Sequence, residues 1–482
     1  MATLLPPPMA CKTMTFGEKI TMRAMTRLTI ALLLGASASA ALAQAAPSAA
    51  DVAQATDILK KSIAFPTVEG RGQVPAYAAY LASVLKAGGF ADSEISITPV
   101  GETATLVVTF PGKRADKPIV LMGHMDVVEA NPADWTRDPF VAVEEGGYIY
   151  GRGSEDNKFD VSVIVATLAQ MRKAGFKPGR TLILALSGDE ETHMATTKLL
   201  AGQLKGAELA LNGDGGGGLL SADGQPVYYG LQAGEKTYAD FAITVTDPGG
   251  HSSAPTGSNA IYRLGKALAR LDAYHFLPQI NELTKASLEA AAREVGGDLG
   301  AAMARFAADP TDAAAADRIS QEPEYIGQVR TTCVATMVNG GHAQNALPQR
   351  ATANINCRIF PGVTIPSIRD TLVRVIADDS ATVTILDDPT SSDASPLRPD
   401  VVKAVNRAVH ARYPKLQVSP NMSAGATDGL HFRALGVPTY GVSSLFQRAE
   451  DGFAHGLNER IPVNGIAPAL AHWRSLLTDL AK

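Results

Sequence analysis

The stretch Ile119-Val120-Leu121-Met122-Gly123-His124-Met125-Asp126 decides how this chain folds. Four consecutive apolar residues suit a strand buried on both faces, and His124 and Asp126 follow immediately. The same grammar recurs downstream. Thr181-Leu-Ile-Leu-Ala-Leu-Ser187 runs into Gly188-Asp189-Glu190-Glu191, and Glu208-Leu-Ala-Leu211 runs into Asn212-Gly213-Asp214. Helical spacing separates these runs, with Phe159 to Lys173 closed by Gly175. Alternating strands and helices, with continuously apolar strands, predict an α/β fold whose mostly parallel sheet is covered by helices on both faces. In such a sheet, ligands bind beyond the carboxyl ends of the strands. The polar clusters therefore converge on one side.

Outward from this core, residues 51–64 and 75–88 read as helices, as do Pro399–Tyr413 and Ile466–Leu480. An apolar strand lies near Val437–Tyr440. The texture changes near Gly234. Tyr238–Thr246, Thr352–Arg358 and Ala381–Leu386 alternate apolar and polar residues, as half-exposed antiparallel strands do. An Ala-rich helical block, roughly Leu277 to Ile319, sits among them, broken at Gly296-Gly297 and Pro310. An α+β domain inserted into the first domain is the expectation, and 482 residues give room for both.

Hydrophobic residues make up 46% and charged residues 19%, so the chain can build a large core and is not a disordered polyelectrolyte. The net charge of -5, with no long basic run, argues against a nucleic-acid partner. Arg23 and Arg27 precede the apolar run Leu28–Leu34, and Ala41-Leu42-Ala43 ends the small-residue stretch behind it. These are the three parts of a secretory signal, so cleavage near Ala43 and a periplasmic or secreted protein are expected. The apolar run is too short for a stable membrane span. Cys11 falls in that leader. Cys333 and Cys357 remain, and a disulfide and two buried thiols are both compatible with their strand patterns.

Each polar cluster is weak alone. His124 offers an imidazole, and Asp126 can hold its other nitrogen. Asp156, in Gly151-Arg-Gly-Ser-Glu-Asp-Asn-Lys158, could merely cap the helix at Phe159, or could bridge two cations with its two oxygens. Adjacent Asp189, Glu190 and Glu191 repel one another unless cations relieve them. Asp214 could be an ordinary turn residue ahead of Gly215–Gly218. His455 supplies a second imidazole. Together, two histidines and three carboxylates with a spare glutamate suit two zinc ions, with cobalt or manganese as substitutes.

With these stretches the chain resembles the cocatalytic zinc peptidases that include carboxypeptidase S, carboxypeptidase G, aminoacylase and succinyl-diaminopimelate desuccinylase. Trp135-Thr-Arg-Asp-Pro-Phe140, Gly250-His-Ser-Ser-Ala-Pro255, Asn345-Ala-Leu-Pro348 and His455-Gly-Leu-Asn-Glu459 extend the match in order along the chain. The tryptophan stretch and Asp214-Gly-Gly-Gly look most like the carboxypeptidase S branch. The resemblance implies a catalytic domain at 44–233 and 389–482, and a ferredoxin-like lid or dimerisation domain at 234–388. It implies that Asp156 bridges two metals, with His124 and Asp214 at one and Glu191 and His455 at the other. Asp126 would orient His124 and Glu190 would be the general base. His251, from a partner subunit in many relatives, would stabilise the oxyanion. Asn345 and Arg358 would bind a substrate carboxylate. Phe159 and Thr192-His193-Met194 depart from the commoner pattern without removing a ligand.

The implied activity is hydrolysis of an amide next to a free carboxylate, of carboxypeptidase or dipeptidase type. The alternative is an N-acyl amino acid amidohydrolase. A non-catalytic metal- or peptide-binding protein is the remote alternative, disfavoured because neither ligand nor base is missing.

Overall fold

The structure, a computed structural model, describes residues 46–482. The leader, its cleavage site and Cys11 lie outside the described residues.

The large sheet has ten strands and is mixed. Its centre is parallel: Arg114–His124 lies between Arg180–Ser187 and Leu209–Asn212, and Thr439–Gly441 continues in the same sense beside Leu209–Asn212. On one flank Thr103–Phe110 and Ile95–Val100 add antiparallel strands. On the other lie Pro226–Glu235, Gly217–Leu220, Phe446–Arg448 and Val418–Ser423. In register, His124 stands opposite Ser187, and Met122 opposite Asn212. Three strands thus end at one edge, and the loops that follow carry Asp126, Glu190, Glu191 and Asp214.

The opening stretch is apolar throughout because both faces of its strand are covered. Ile119 and Leu121 join the main core, while Val120 and Met122 join a second cluster with Leu200, Phe432 and Val437. On the first face lies the helix Lys158–Lys173, buried from Lys158 to Met171 between the sheet and the helices Ala49–Ile63, Val74–Ala87 and Ile466–Leu480. Its missing polar face is explained by burial on all sides. The helix Ala49–Ile63 begins at a reciprocal Ser48–Asp51 capping box.

Lys236 alone links Pro226–Glu235 to the first strand of a second sheet, Thr237–Thr246. Its buried ammonium donates to the Arg330 carbonyl at 2.8 Å, and burial pushes its pKa down to about 7. This antiparallel sheet has the order Thr332–Gly340, Arg350–Ile359, Thr237–Thr246, Ala381–Ile385. The helices Ala260–Asp272 and Ile365–Ile376 pack on one face through Leu264, Ile368 and Leu372. Cys333 and Cys357 are directly opposed on neighbouring strands and form a disulfide, which resolves the two alternatives the sequence left open.

The Ala-rich block resolves into helices Glu282–Val295, Gly297–Ala308 and Ala313–Ser320, which share a core around Met303 and Phe306 with the next helix, Pro323–Val329. Gly296 and Gly297 break the first pair at positive φ of 63° and 58°, conformations that suit glycine. Leu283 of this block enters the main core, which ties it to the large sheet.

Candidate metal centre

His124 ends its strand with only 1% of its surface exposed. Its Nε2 is 2.9 Å from Asp156 Oδ1. Its Nδ1 lies 3.1 Å from the Asp126 carbonyl and 3.5 Å from the Asp126 carboxylate. That carboxylate also accepts from the backbone N–H groups of Glu190, at 3.1 Å, and Glu191, at 2.9 Å. Asp126 therefore joins the first strand-end loop to the second, besides facing His124.

The other oxygen of Asp156, Oδ2, is 3.2 Å from His455 Nε2, and the same nitrogen is 3.0 Å from Glu191 Oε1. Asp156 thus points one oxygen at each histidine. Ligand atoms of His124, Asp156 and Glu191 lie within 4.8 Å of one another, as do those of His124, Glu190 and Asp214. The structure brings His124, Asp156, Glu190, Glu191, Asp214 and His455 into one cluster.

The electrostatics are those of crowded carboxylates. Burial pushes Asp214 well above its ordinary value, and the charge of Asp156 adds to the effect. Burial also drives Glu190 well up, with Asp214, Asp428 and Glu191 opposing its ionisation and His124 favouring it. Burial would raise Asp156 too, but hydrogen bonds from His124 and His455 outweigh it and hold this carboxyl well below the usual range. His455 is raised to about 10 by Asp156 and Glu191. Two divalent cations would remove the repulsion among these groups, and the mixed imidazole and carboxylate donors suit zinc. The residues present therefore fit a dinuclear centre.

The cluster opens into a cavity of about 490 Å³ whose walls include Glu190, Glu191, His455, Met194, Tyr238 and Arg358. Arg358 reaches it from the second sheet, where it stands opposite Tyr238 in register. Its guanidinium lies 4.7 Å from the centre of the Tyr238 ring, and the Tyr238 hydroxyl donates to Asp240 Oδ2 at 2.5 Å. The sequence reading did not single out Tyr238. Its signal was an aromatic residue at an outward-facing position of an alternating strand, which by itself marks only exposure.

His251 and Asn345 are neighbours elsewhere. His251 pairs with Ala346 in a short antiparallel ladder, and Ser252 donates to the Asn345 carbonyl at 2.9 Å. The His251 ring is exposed, with Nδ1 2.8 Å from Ser253 Oγ. Neither residue lines the Arg358 cavity within one chain. Arg152 and Glu459, also without an assigned role in the sequence reading, form a buried ion pair at 2.6 Å beside Asp156.

Residues 120–479 match the model of peptidase family M20/M25/M40. The N-fatty-acyl-amino acid synthase/hydrolase PM20D1 of Xenopus tropicalis is 31% identical over 363 residues, covering 72% of this chain and 70% of the relative. A probable carboxypeptidase S-like 2 of Dictyostelium discoideum is 27% identical, covering 76% and 72%. The solved M20 family metallo-carboxypeptidase Sso-CP2 of Sulfolobus solfataricus shares the fold, with a TM-score of 0.67 at 19% identity over 89% of this chain and 99% of that one. Similarity along three quarters of the chain and a shared fold give one answer: this chain is a hydrolase belonging to peptidase family M20/M25/M40.

Proposed function

We propose that the protein hydrolyses an amide bond next to a free carboxylate, as a carboxypeptidase or dipeptidase does, at a dinuclear metal centre. One observation carries this reading: the Arg358 guanidinium and the Glu190 carboxylate line the same cavity. A planar fork suits a carboxylate, and a base in the same cavity suits a scissile bond.

His124 and Asp214 would hold one divalent cation and Glu191 and His455 the other, with Asp156 shared. When bound, the cations polarise the carbonyl and lower the pKa of water towards ~7. Glu190 takes the proton from the attacking water and delivers it to the leaving amine. Burial raises its proton affinity, which suits a group that takes up a proton and passes it on. Arg358, stacked on Tyr238, fixes the substrate carboxylate and so the register of the scissile bond. Asp126 holds His124 and the turn at Glu190 and Glu191 in one arrangement.

His251 and Asn345 act from a second copy of the chain. The outermost strand Thr332–Gly340 exposes Val334, Met337 and Val338, a surface suited to pairing with its counterpart. The inserted unit spans 234–388 in this reading. The Cys333–Cys357 disulfide supports an oxidising compartment, in keeping with the exported protein expected from the leader. No helix among the described residues is long and apolar enough to cross a membrane.

A second reading is hydrolysis of N-acyl amino acids. The similarity to PM20D1 favours it, as do Met194, Leu386, Pro389 and Leu430 in the cavity wall, which offer an acyl chain apolar surface. A panel of dipeptides, C-terminally amidated dipeptides and N-acyl amino acids, assayed with and without chelator, tests both. Turnover that survives chelation, or prefers amidated substrates, contradicts the proposal. Preference for the acyl substrates selects the second reading.

A further inference from the structure

Glu459 has no exposed surface, yet its carboxylate is fully engaged. Oε2 accepts from Arg152 Nη1 at 2.6 Å and from the Gly153 N–H at 2.9 Å. Oε1 accepts from the N–H groups of Glu155 at 2.7 Å and Asp156 at 3.0 Å. Three of these donors are backbone groups of the loop that presents Asp156. The Glu459 carbonyl accepts from Gly151 at 3.0 Å, and the next residues, Arg460–Pro462, pair with Tyr148–Tyr150. The two segments are thus joined before and within the loop.

Arg152 completes the link. Its Nη1 holds Glu459, and its Nη2 donates to the His455 carbonyl at 3.3 Å. Its guanidinium carbon lies 5.2 Å from the Trp135 ring centre. His455 itself sits at a φ of 63°, a left-handed conformation that costs free energy in a residue with a Cβ. The surroundings must hold it there. Neither Arg152 nor Glu459 reaches into the cluster with its own charged group. Both hold the backbone on either side of it.

We propose that Arg152 and Glu459 are positioning residues which, as one buried pair, set the separation of Asp156 from His455 and so preorganise the dinuclear centre. The inference rests on the metal-ligand reading given above. A carboxylate is required because it alone offers acceptor sites on both oxygens. A glutamine of the same shape would turn an NH2 towards two of the four donors. The loop would then shift to relieve the donor–donor clash, and Asp156 would move with it.

The test is metal binding by the full chain, without reference to turnover. Zn²⁺ titration calorimetry and the visible absorption of bound Co²⁺ are compared for the wild type, Glu459→Gln and Arg152→Lys, alongside urea unfolding of each metal-free protein. Arg152→Lys keeps a cation beside Glu459 but loses the arm to His455, so it carries the test if Glu459→Gln does not fold. The expected result is metal affinity weaker by about 10- to 100-fold, the range typical for residues that orient metal ligands, with an altered Co²⁺ spectrum in a folded metal-free protein. Wild-type affinity and spectrum in the folded variants would overturn the inference. A wild type that takes up fewer than two ions would overturn both it and the ligand reading, which separates the two failures.

Discussion

Tyr238 stands opposite Arg358 on the neighbouring antiparallel strand, and its ring centre lies 4.7 Å from the guanidinium carbon. Without the ring, the long arginine side chain would keep its charge but lose its fixed orientation. Tyr238→Ala is expected to raise KM several-fold with a smaller effect on kcat, since a cation–π contact contributes roughly 0.5–2 kcal/mol. Tyr238→Phe keeps the ring and should stay close to wild type. Arg358→Lys loses the planar fork and should raise KM by roughly 10-fold or more. Steady-state kinetics on a substrate with a free carboxylate checks all three, and unchanged KM in Arg358→Lys would remove Arg358 from substrate binding.

Glu190 faces the same cavity as the cluster, and burial raises its proton affinity. Glu190→Gln is expected to lower kcat by roughly 10²- to 10⁴-fold, the range for loss of a general base. Metal content, measured by elemental analysis of the same preparation, should stay at the wild-type value. Loss of metal together with activity would make Glu190 a ligand rather than the base.

Acid sensitivity has an identifiable source outside the site. His472 is buried in the closing helix with Nε2 3.5 Å from the Tyr229 hydroxyl, and burial pushes its pKa from 6.5 down to about 4. The unfolded chain therefore binds a proton between these values that the folded chain excludes. This contribution to stability is complete above pH 6.5 and declines as the pH falls towards 4, by up to roughly 3 kcal/mol. His472→Gln removes the titration and should flatten the dependence of the urea midpoint on pH over that window. An unchanged slope would refute the assignment.

The Cys333–Cys357 bond closes a loop of sequence separation 24. A cross-link of this length stabilises by about 3 kcal/mol through the unfolded chain. The Cys333→Ser, Cys357→Ser double variant should unfold at a correspondingly lower urea concentration. Reduction of the wild type should reproduce the shift, and no shift on reduction would mean that the thiols are not joined in solution.

Much of this architecture was legible in the chain. Ile119–Met122 had to be a strand covered on both faces, because apolar residues at successive positions leave no face for water. Gly296-Gly297 had to break the helical block, because a helix interior disfavours glycine. The flanks of the sheet were less legible. Pro226–Glu235 and Val418–Ser423 are assigned by their pairing partners, which no local pattern names.

The order of residues along the chain marks which of them stand at strand ends and which can bind metal or move protons. Those are properties of side-chain chemistry and of a period of two or 3.6 residues. Tertiary structure alone decided which of them meet. His455 faces Glu191 across 264 positions of chain, Arg152 meets Glu459 across 307, and His251 is not among the residues lining the cavity beside Glu191 and His455. Such meetings depend on the register and packing of every strand between the partners. One residue of slip would turn Tyr238 and Arg358 to the opposite face of their sheet. Periodicity fixes which face a side chain takes, but only the packed chain fixes what that face meets.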